Sequence, residues 1–205
     1  MIQFAHEHLS IPFHVIIRPR RGDFLYTEPE FELMRYDIEF AKSAGAKGVV
    51  IGILEPDGTI DVDRTRVLVE LARPLEVTFH RAFDMTADPY RALDDLIHLG
   101  VDTLLTSGQQ PTAEQGLSLI SELVKQAKGQ IHIMPGSGIN PNNIRAIIEN
   151  SGAQEFHFSG KKSADSPMQY RNPNLSMGGK DDNSEYQRSY ADEATIRAII
   201  DNATR

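Results

Sequence analysis

No cysteine occurs among the 205 residues. Disulfides, thiolate metal sites and a cysteine nucleophile are therefore excluded. A reducing cytosol is the compartment such a composition fits. Basic residues are also in short supply, 21 Lys and Arg against 29 Asp and Glu, which leaves a net charge of -8. Nucleic acid needs a basic face to neutralise its phosphates, so no nucleic-acid role is expected. An anionic membrane surface is disfavoured for the same reason. Long apolar runs are absent too: none reaches the roughly 18 residues of a membrane span. The opening Met1–Ser10 lacks the charged-then-apolar order of a signal peptide. What is present is ordinary for a globular chain, with 40% hydrophobic and 24% charged residues. The length suits one domain over residues 1–205 with a sizeable core.

Short apolar, β-rich runs recur along the chain, at Phe13–Ile17, Val49–Leu54, Val77–His80, Thr103–Thr106, Ile131–Met134 and Glu155–Phe158. Helical patterns separate them, at Glu28–Ala44, Val62–Leu71, Pro89–Leu99, Ala113–Lys128 and Asn140–Asn150. In the first of these, Phe31, Met34, Ile38 and Ala41 fall on one helical face. Asp61, Thr112 and Asn140 are candidate N-caps. Gly45, Gly100, Gly129 and Gly152 stand where helices stop. Strands alternating with helices mean parallel pairing, in either an open doubly wound sheet or a barrel. Residues 1–163 hold these units. Ala164–Lys180, with Pro167, Pro173 and Gly178-Gly179, reads as loop, and Asp192–Ala203 as a last short helix.

Alternation within the strands separates the two architectures. Successive side chains point to opposite faces. Val15 and Ile17 therefore oppose His14, Ile16 and Arg18; Val77 and Phe79 oppose Thr78 and His80; Ile131 and Ile133 oppose His132 and Met134; Phe156 and Phe158 oppose Glu155, His157 and Ser159. A doubly wound sheet is apolar on both faces. One face carrying Arg and His in four strands fits a barrel whose interior turns polar. Each histidine alone reads as a satisfied core residue; several converging read as a site, since buried polar groups must all be paired.

Polar clusters follow the strands at their carboxyl ends: Arg18–Asp23, His80–Asp84, Thr106–Gln109, Pro135–Gly138 and Ser159–Lys162. Barrel enzymes carry their chemistry on these loops. Arg18, Arg20 and Asp23 read equally as a solvated ion-pair loop or as ligand binders. Gly136, Ser137 and Gly138, with Ser159-Gly160 on the next strand, form a candidate phosphate cradle, because backbone N–H groups and a helix start favour an anion. His80, Arg81 and Asp84 are a candidate acid–base pair oriented by a carboxylate, with Arg18 and Arg20 placed to steady an anion. Ser107 and His157 complete the candidate ligand-binding set. The histidines lie at different depths, so no shared metal site is assigned.

Several of these strings are similar to signatures of the CutC family: Ile16–Phe24 with Tyr26, Val77–Asp84, Leu105–Gln109 with Gln115-Gly116, and Gly136–Gly138. So are Glu155–His157, Ser166–Met168 with Tyr170–Asn172, and Leu175–Met177. The resemblance covers essentially the whole chain. It implies a TIM-type (β/α)8 barrel, a cytoplasmic location, a homo-oligomer and copper homeostasis, with copper as the associated metal. Family members open with two further strand–helix units that carry cysteines, so six of the eight barrel strands are expected here. Those cysteines are the soft ligands suited to Cu(I). Beside this family role stands a second expectation, a barrel enzyme acting on a small phosphorylated metabolite.

Overall fold

Five short strands pair in the order in which they occur in the chain, all parallel: β1 (His14–Ile16), β2 (Gly48–Ile51), β3 (Glu76–Phe79), β4 (Thr103–Thr106) and β5 (His132–Pro135). A doubly wound sheet reverses its order at a switch point. Sequential order is instead the barrel pattern, and the α/β barrel expectation holds in that sense. The sheet is not closed among the described residues, with β1 and β5 at its edges. These details come from a computed structural model, which describes residues 1–172, 174–175 and 184–204.

The residues group into two compact units. The first is 1–139 with 146–157 and holds the sheet. Its helices are α1 (Ile2–His8), α2 (Glu28–Ser43), α3 (Val62–Ala72), α4 (Pro89–His98) and α5 (Leu117–Ala127), with a 3-10 turn at Arg81–Met85. Local chemistry accounts for where they start and stop. Thr27 and Glu30 make a reciprocal capping box at the head of α2. Asp61 accepts from the Arg64 N–H, and Asp88 from those of Tyr90 and Arg91. The four expected stop glycines all sit at positive φ. Phe31, Met34, Ile38 and Ala41 bury one face of α2 as the spacing predicts. Each large apolar side chain so buried stabilises by about 1.5–3 kcal/mol.

The expected sixth strand, Glu155–Phe158, is corrected to a single bridge between Gly136 and His157. The reason lies in β5. Extending the ladder back from His157 would need the Pro135 nitrogen to donate to the Glu155 carbonyl, and proline has no N–H. Two helices also start late. Gly116, not Thr112, precedes α5, where the backbones of Ser107-Gly108 and Gly116 press together too closely for a Cβ. The helix expected from Asn140 becomes α6 (Ile144–Ser151), because Asn140 and Asn143 cross-bond into a turn first.

The second unit is 140–145 with 158–205. It contains an antiparallel pair, β6 (Lys161–Asp165) and β7 (Gln187–Ala191), and α7 (Glu193–Ala203). Asp192 caps α7 through the Thr195 N–H and hydroxyl. The loop expected over Ala164–Lys180 is thus strand as far as Asp165. Pro173, Ser176, Met177, the Gly178-Gly179 pair and Lys180 lie outside the described residues.

Candidate functional site

The carboxyl ends of β1, β3 and β4 place the candidate residues, and their hydrogen bonds separate anchors from free groups. In the loop after β1, Arg20 is consumed by structure. Its guanidinium donates to Glu30 at 2.6 Å, to Asp23 at 2.8 Å and to the Leu25 carbonyl at 2.7 Å. Arg20, then the Leu25 N–H, hold the Asp23 carboxyl below the usual carboxylate range. Arg20 and Asp23 therefore pin the loop. Arg18 is different. It donates to the Gly22 carbonyl at 2.8 Å and lies over the Phe24 ring at 4.7 Å. No carboxylate lies within ion-pair distance of it among the described residues.

His80 directly follows β3 and caps the 3-10 turn, with Nδ1 accepting from the Ala82 N–H at 3.1 Å. That bond leaves the ring proton on Nε2. The residue is only 5% exposed, yet Nε2 has no hydrogen-bond partner. Burial, reinforced by the nearby Arg18 charge, lowers its pKa to about 4. His80 is therefore neutral at pH 7, and a buried N–H without a partner costs about 1–3 kcal/mol. The ring packs on Phe24, 5.0 Å between centroids, and against Gly52, where any Cβ would collide with it. Tyr26 repeats the situation. It is buried, and its hydroxyl has no partner. Burial pushes the phenol upward, opposed by Arg18 and Arg20 beside it. Arg18 is thus the neighbour common to both orphaned donors.

Asp84 does not join His80. Its carboxylate accepts from Thr106 Oγ1 at 2.5 Å, from the backbone N–H groups of Ser107 and Gln109, from Ser107 Oγ and from Arg81 Nε. It ties the loop after β4 to the loop after β3. The Gln110 carbonyl is an alternative acceptor for the single Ser107 hydroxyl proton, and Ser107 Oγ receives Arg81. Ser107 and Asp84 are one closed network.

Gly136–Gly138 likewise serves the scaffold. Ser137, at φ 81°, donates its hydroxyl to the Pro111 carbonyl, and its own carbonyl accepts from Ala113. Gly138, at φ 74°, approaches Thr112 so closely that a Cβ would meet its methyl at 2.9 Å. The helix start expected directly after this loop is delayed to Ile144. His157 is exposed and bridges Gly136; Ser159 is exposed in the second unit.

Tyr26 and Phe24 are the site residues that pattern reading missed, although both lay inside the quoted family strings. Two aromatics in a polar loop directly after an inward arginine were the available signal. Beside Phe24 opens a cavity of about 520 Å3, also lined by Leu54, Pro56 and Met85. A larger cavity, about 590 Å3, lies at the amino ends of the strands, among His14, Glu76, Asp102, His132 and Glu155. Its side chains pair with one another. Copper does not fit what is present. The chain has no thiolate, and no group of three or more His, Asp or Glu among the described residues is set to hold a metal ion.

Comparison with known proteins agrees with the strings. The family model described as "CutC family" matches residues 1–162. The copper homeostasis protein cutC homolog of Mus musculus is 48% identical over 199 residues, which is 97% of this chain and 73% of that protein. A CutC family protein of Parabacteroides distasonis is 51% identical over 191 residues, 93% of this chain and 79% of its own. The crystal structure of CutC from Streptococcus agalactiae superposes with a TM-score of 0.73 at 31% identity, covering 76% of this chain and 78% of that one.

Proposed function

We propose, from the premise that this chain belongs to the CutC family, that it serves copper homeostasis by binding a small anionic ligand at the carboxyl ends of its strands. The observation that carries the ligand reading is a pair of buried, unpartnered donors, His80 Nε2–H and Tyr26 O–H, each with Arg18 as a neighbour. A ligand oxygen would satisfy both donors, and its charge would meet Arg18. The copper half of the proposal rests on the names its relatives carry. It does not run through a copper ion held by the described residues, whose donor set does not suit one. A cytoplasmic location follows the family resemblance. A homo-oligomer would cover Leu33, Tyr36 and Phe40, which line one face of α2 at 46%, 66% and 55% exposure.

The phosphorylated-metabolite enzyme keeps one support, a neutral His80 able to exchange a proton. Its phosphate cradle is weakened by the engagement of Ser137 with Pro111.

Two measurements on the purified chain test the proposal. In an anaerobic Cu(I) titration against a competing chelator, copper is expected to stay with the chelator. In thermal unfolding, phosphate or acetate is expected to raise the Tm of the native chain and not that of Arg18→Met. Stoichiometric retention of Cu(I) would overturn the reading that the copper role does not run through an ion held by these residues. An anion shift absent from the native chain, or undiminished in Arg18→Met, would overturn the ligand reading.

A further inference from the structure

We propose that the ligand is a small monocarboxylate carrying an apolar group, its carboxylate on Arg18, His80 and Tyr26 and its apolar part in the cleft beside Phe24. The inference rests on the anion site argued above and adds the ligand's charge and shape.

Charge count comes first. Of the arginines in the loops around the site, Arg20 is neutralised by Asp23 and Glu30, Arg64 by Glu28 and Asp61, and Arg81 by Asp84. Arg18 and the exposed Arg21 have no acidic partner among the described residues, and of the two it is Arg18 that lies over Phe24 and beside His80. The two orphaned donors are uncharged at neutral pH: His80 titrates near 4, and burial raises the Tyr26 phenol. The site thus offers one positive charge and two neutral hydrogen-bond donors. A carboxylate brings one negative charge and up to four lone-pair sites, enough for all three groups. A phosphate monoester brings a charge of about -1.5 to -2 at pH 7, leaving part of it uncompensated.

Shape comes second. Phe24 is shared between the anion site and the adjoining cavity. One contact of its ring is the Arg18 guanidinium, another is the His80 ring, and the ring also lines the 520 Å3 space with Leu54, Pro56 and Met85. That space is large enough for a short hydrocarbon chain or ring. Met85 is 67% exposed, an apolar side chain with little else to cover it. Two acids, Asp23 and Glu55, also line the cavity. Asp23 is paired with Arg20, so it is Glu55, with no cation beside it among the described residues, that repels a second negative charge and orients a monoanion with its charge toward Arg18. Only a ligand whose charge is confined to one end meets both conditions.

Titration calorimetry at pH 7 with acetate, hexanoate and inorganic phosphate tests this on the native chain, Arg18→Met and Met85→Ser. Each methylene buried adds about a fourfold gain in affinity. Hexanoate is therefore expected to bind at least about tenfold tighter than acetate. Phosphate is expected to bind more weakly than hexanoate. Arg18→Met should lose hexanoate binding, and Met85→Ser should shrink the hexanoate-to-acetate ratio while leaving acetate unchanged. Circular dichroism checks that both variants are folded; each replaces an exposed side chain. If phosphate binds through Arg18 and hexanoate does not, the carboxylate inference falls and the anion site stands. If acetate and hexanoate bind alike, the apolar cleft plays no part and the inference falls. If no anion binds, or Arg18→Met binds as the native chain does, both the inference and the anion site fall.

Discussion

The two ends of the sheet differ in a way that cavity size conceals. The amino ends enclose the larger space, about 590 Å3, yet its acids and bases answer one another. His14 faces Glu76 at 3.4 Å and His132 faces Glu155 at 3.8 Å. Asp102 accepts from Arg73 at 2.8 Å and from the Val77 N–H at 2.7 Å. None of the buried polar atoms left without a partner belongs to a residue lining that cavity. The carboxyl ends enclose less space but hold two such atoms, on Tyr26 and His80, beside an arginine with no acid. Unpaired buried donors are costly, so two of them beside one arginine mark a site better than volume does; the other two such atoms, on Arg35 and Thr65, belong to α2 and α3. The same contrast recurs inside one motif. Four residues apart, Asp84 is fully partnered and His80 is not.

The largest effect expected tests that second contrast. The Asp84 side chain is only 6% exposed and receives donors from four residues. Replacing it by alanine leaves several of those donors unmet, among them the backbone N–H of Gln109, a residue at φ 56°. Asp84→Ala should lower the stability of the chain by about 3 kcal/mol in urea unfolding. A loss under about 1 kcal/mol would mean that Asp84 is not the anchor and would reopen its pairing with His80.

A smaller effect is expected at His80, and only in one pH window. Its pKa is about 4 in the folded chain, against an ordinary 6.5. Between those values the unfolded chain binds more protons than the folded one. Stability is therefore full above pH 6.5 and falls as pH drops toward 4, by about 3 kcal/mol in all. His80→Asn keeps an acceptor for the Ala82 N–H and abolishes the titration. Urea midpoints of the two proteins from pH 4 to 7 should therefore differ in slope across that window alone. Parallel slopes would show that His80 is reached by water and is no buried donor.

How much of this could be read from residues alone follows from what each pattern measures. Hydrophobic spacing reports burial, and it placed α2, α3, α4 and four of the strands closely, because Phe31, Met34, Ile38, Val77 and Phe79 are all in the core. Where burial does not decide, the pattern was silent. β6 and β7 are almost wholly exposed, so their strands left no apolar alternation. The failed sixth strand turned on one missing N–H at Pro135, which no hydropathy pattern registers. At the site, His80 and Arg18 were legible as polar residues on an inward strand face. Their companions were not. The roles of Asp84, Arg20 and Ser137 depend on which partner each finds across the loops, and such pairings are set by tertiary geometry rather than by spacing.

The smallest effect expected is at the amino ends, and it bears most directly on the comparison of the two. His132 and Glu155 are 59% and 47% exposed at 3.8 Å, so water competes for both groups. Exposed pairs of this kind contribute about 0–1 kcal/mol. His132→Gln should shift the urea midpoint within that small range and leave hexanoate and acetate affinities as they are in the native chain. A loss comparable to that of Asp84→Ala, or any change in anion affinity, would mean that the paired groups around the larger cavity are coupled to the carboxyl ends. The absence of unpaired donors would then no longer separate scaffold from site in this sheet.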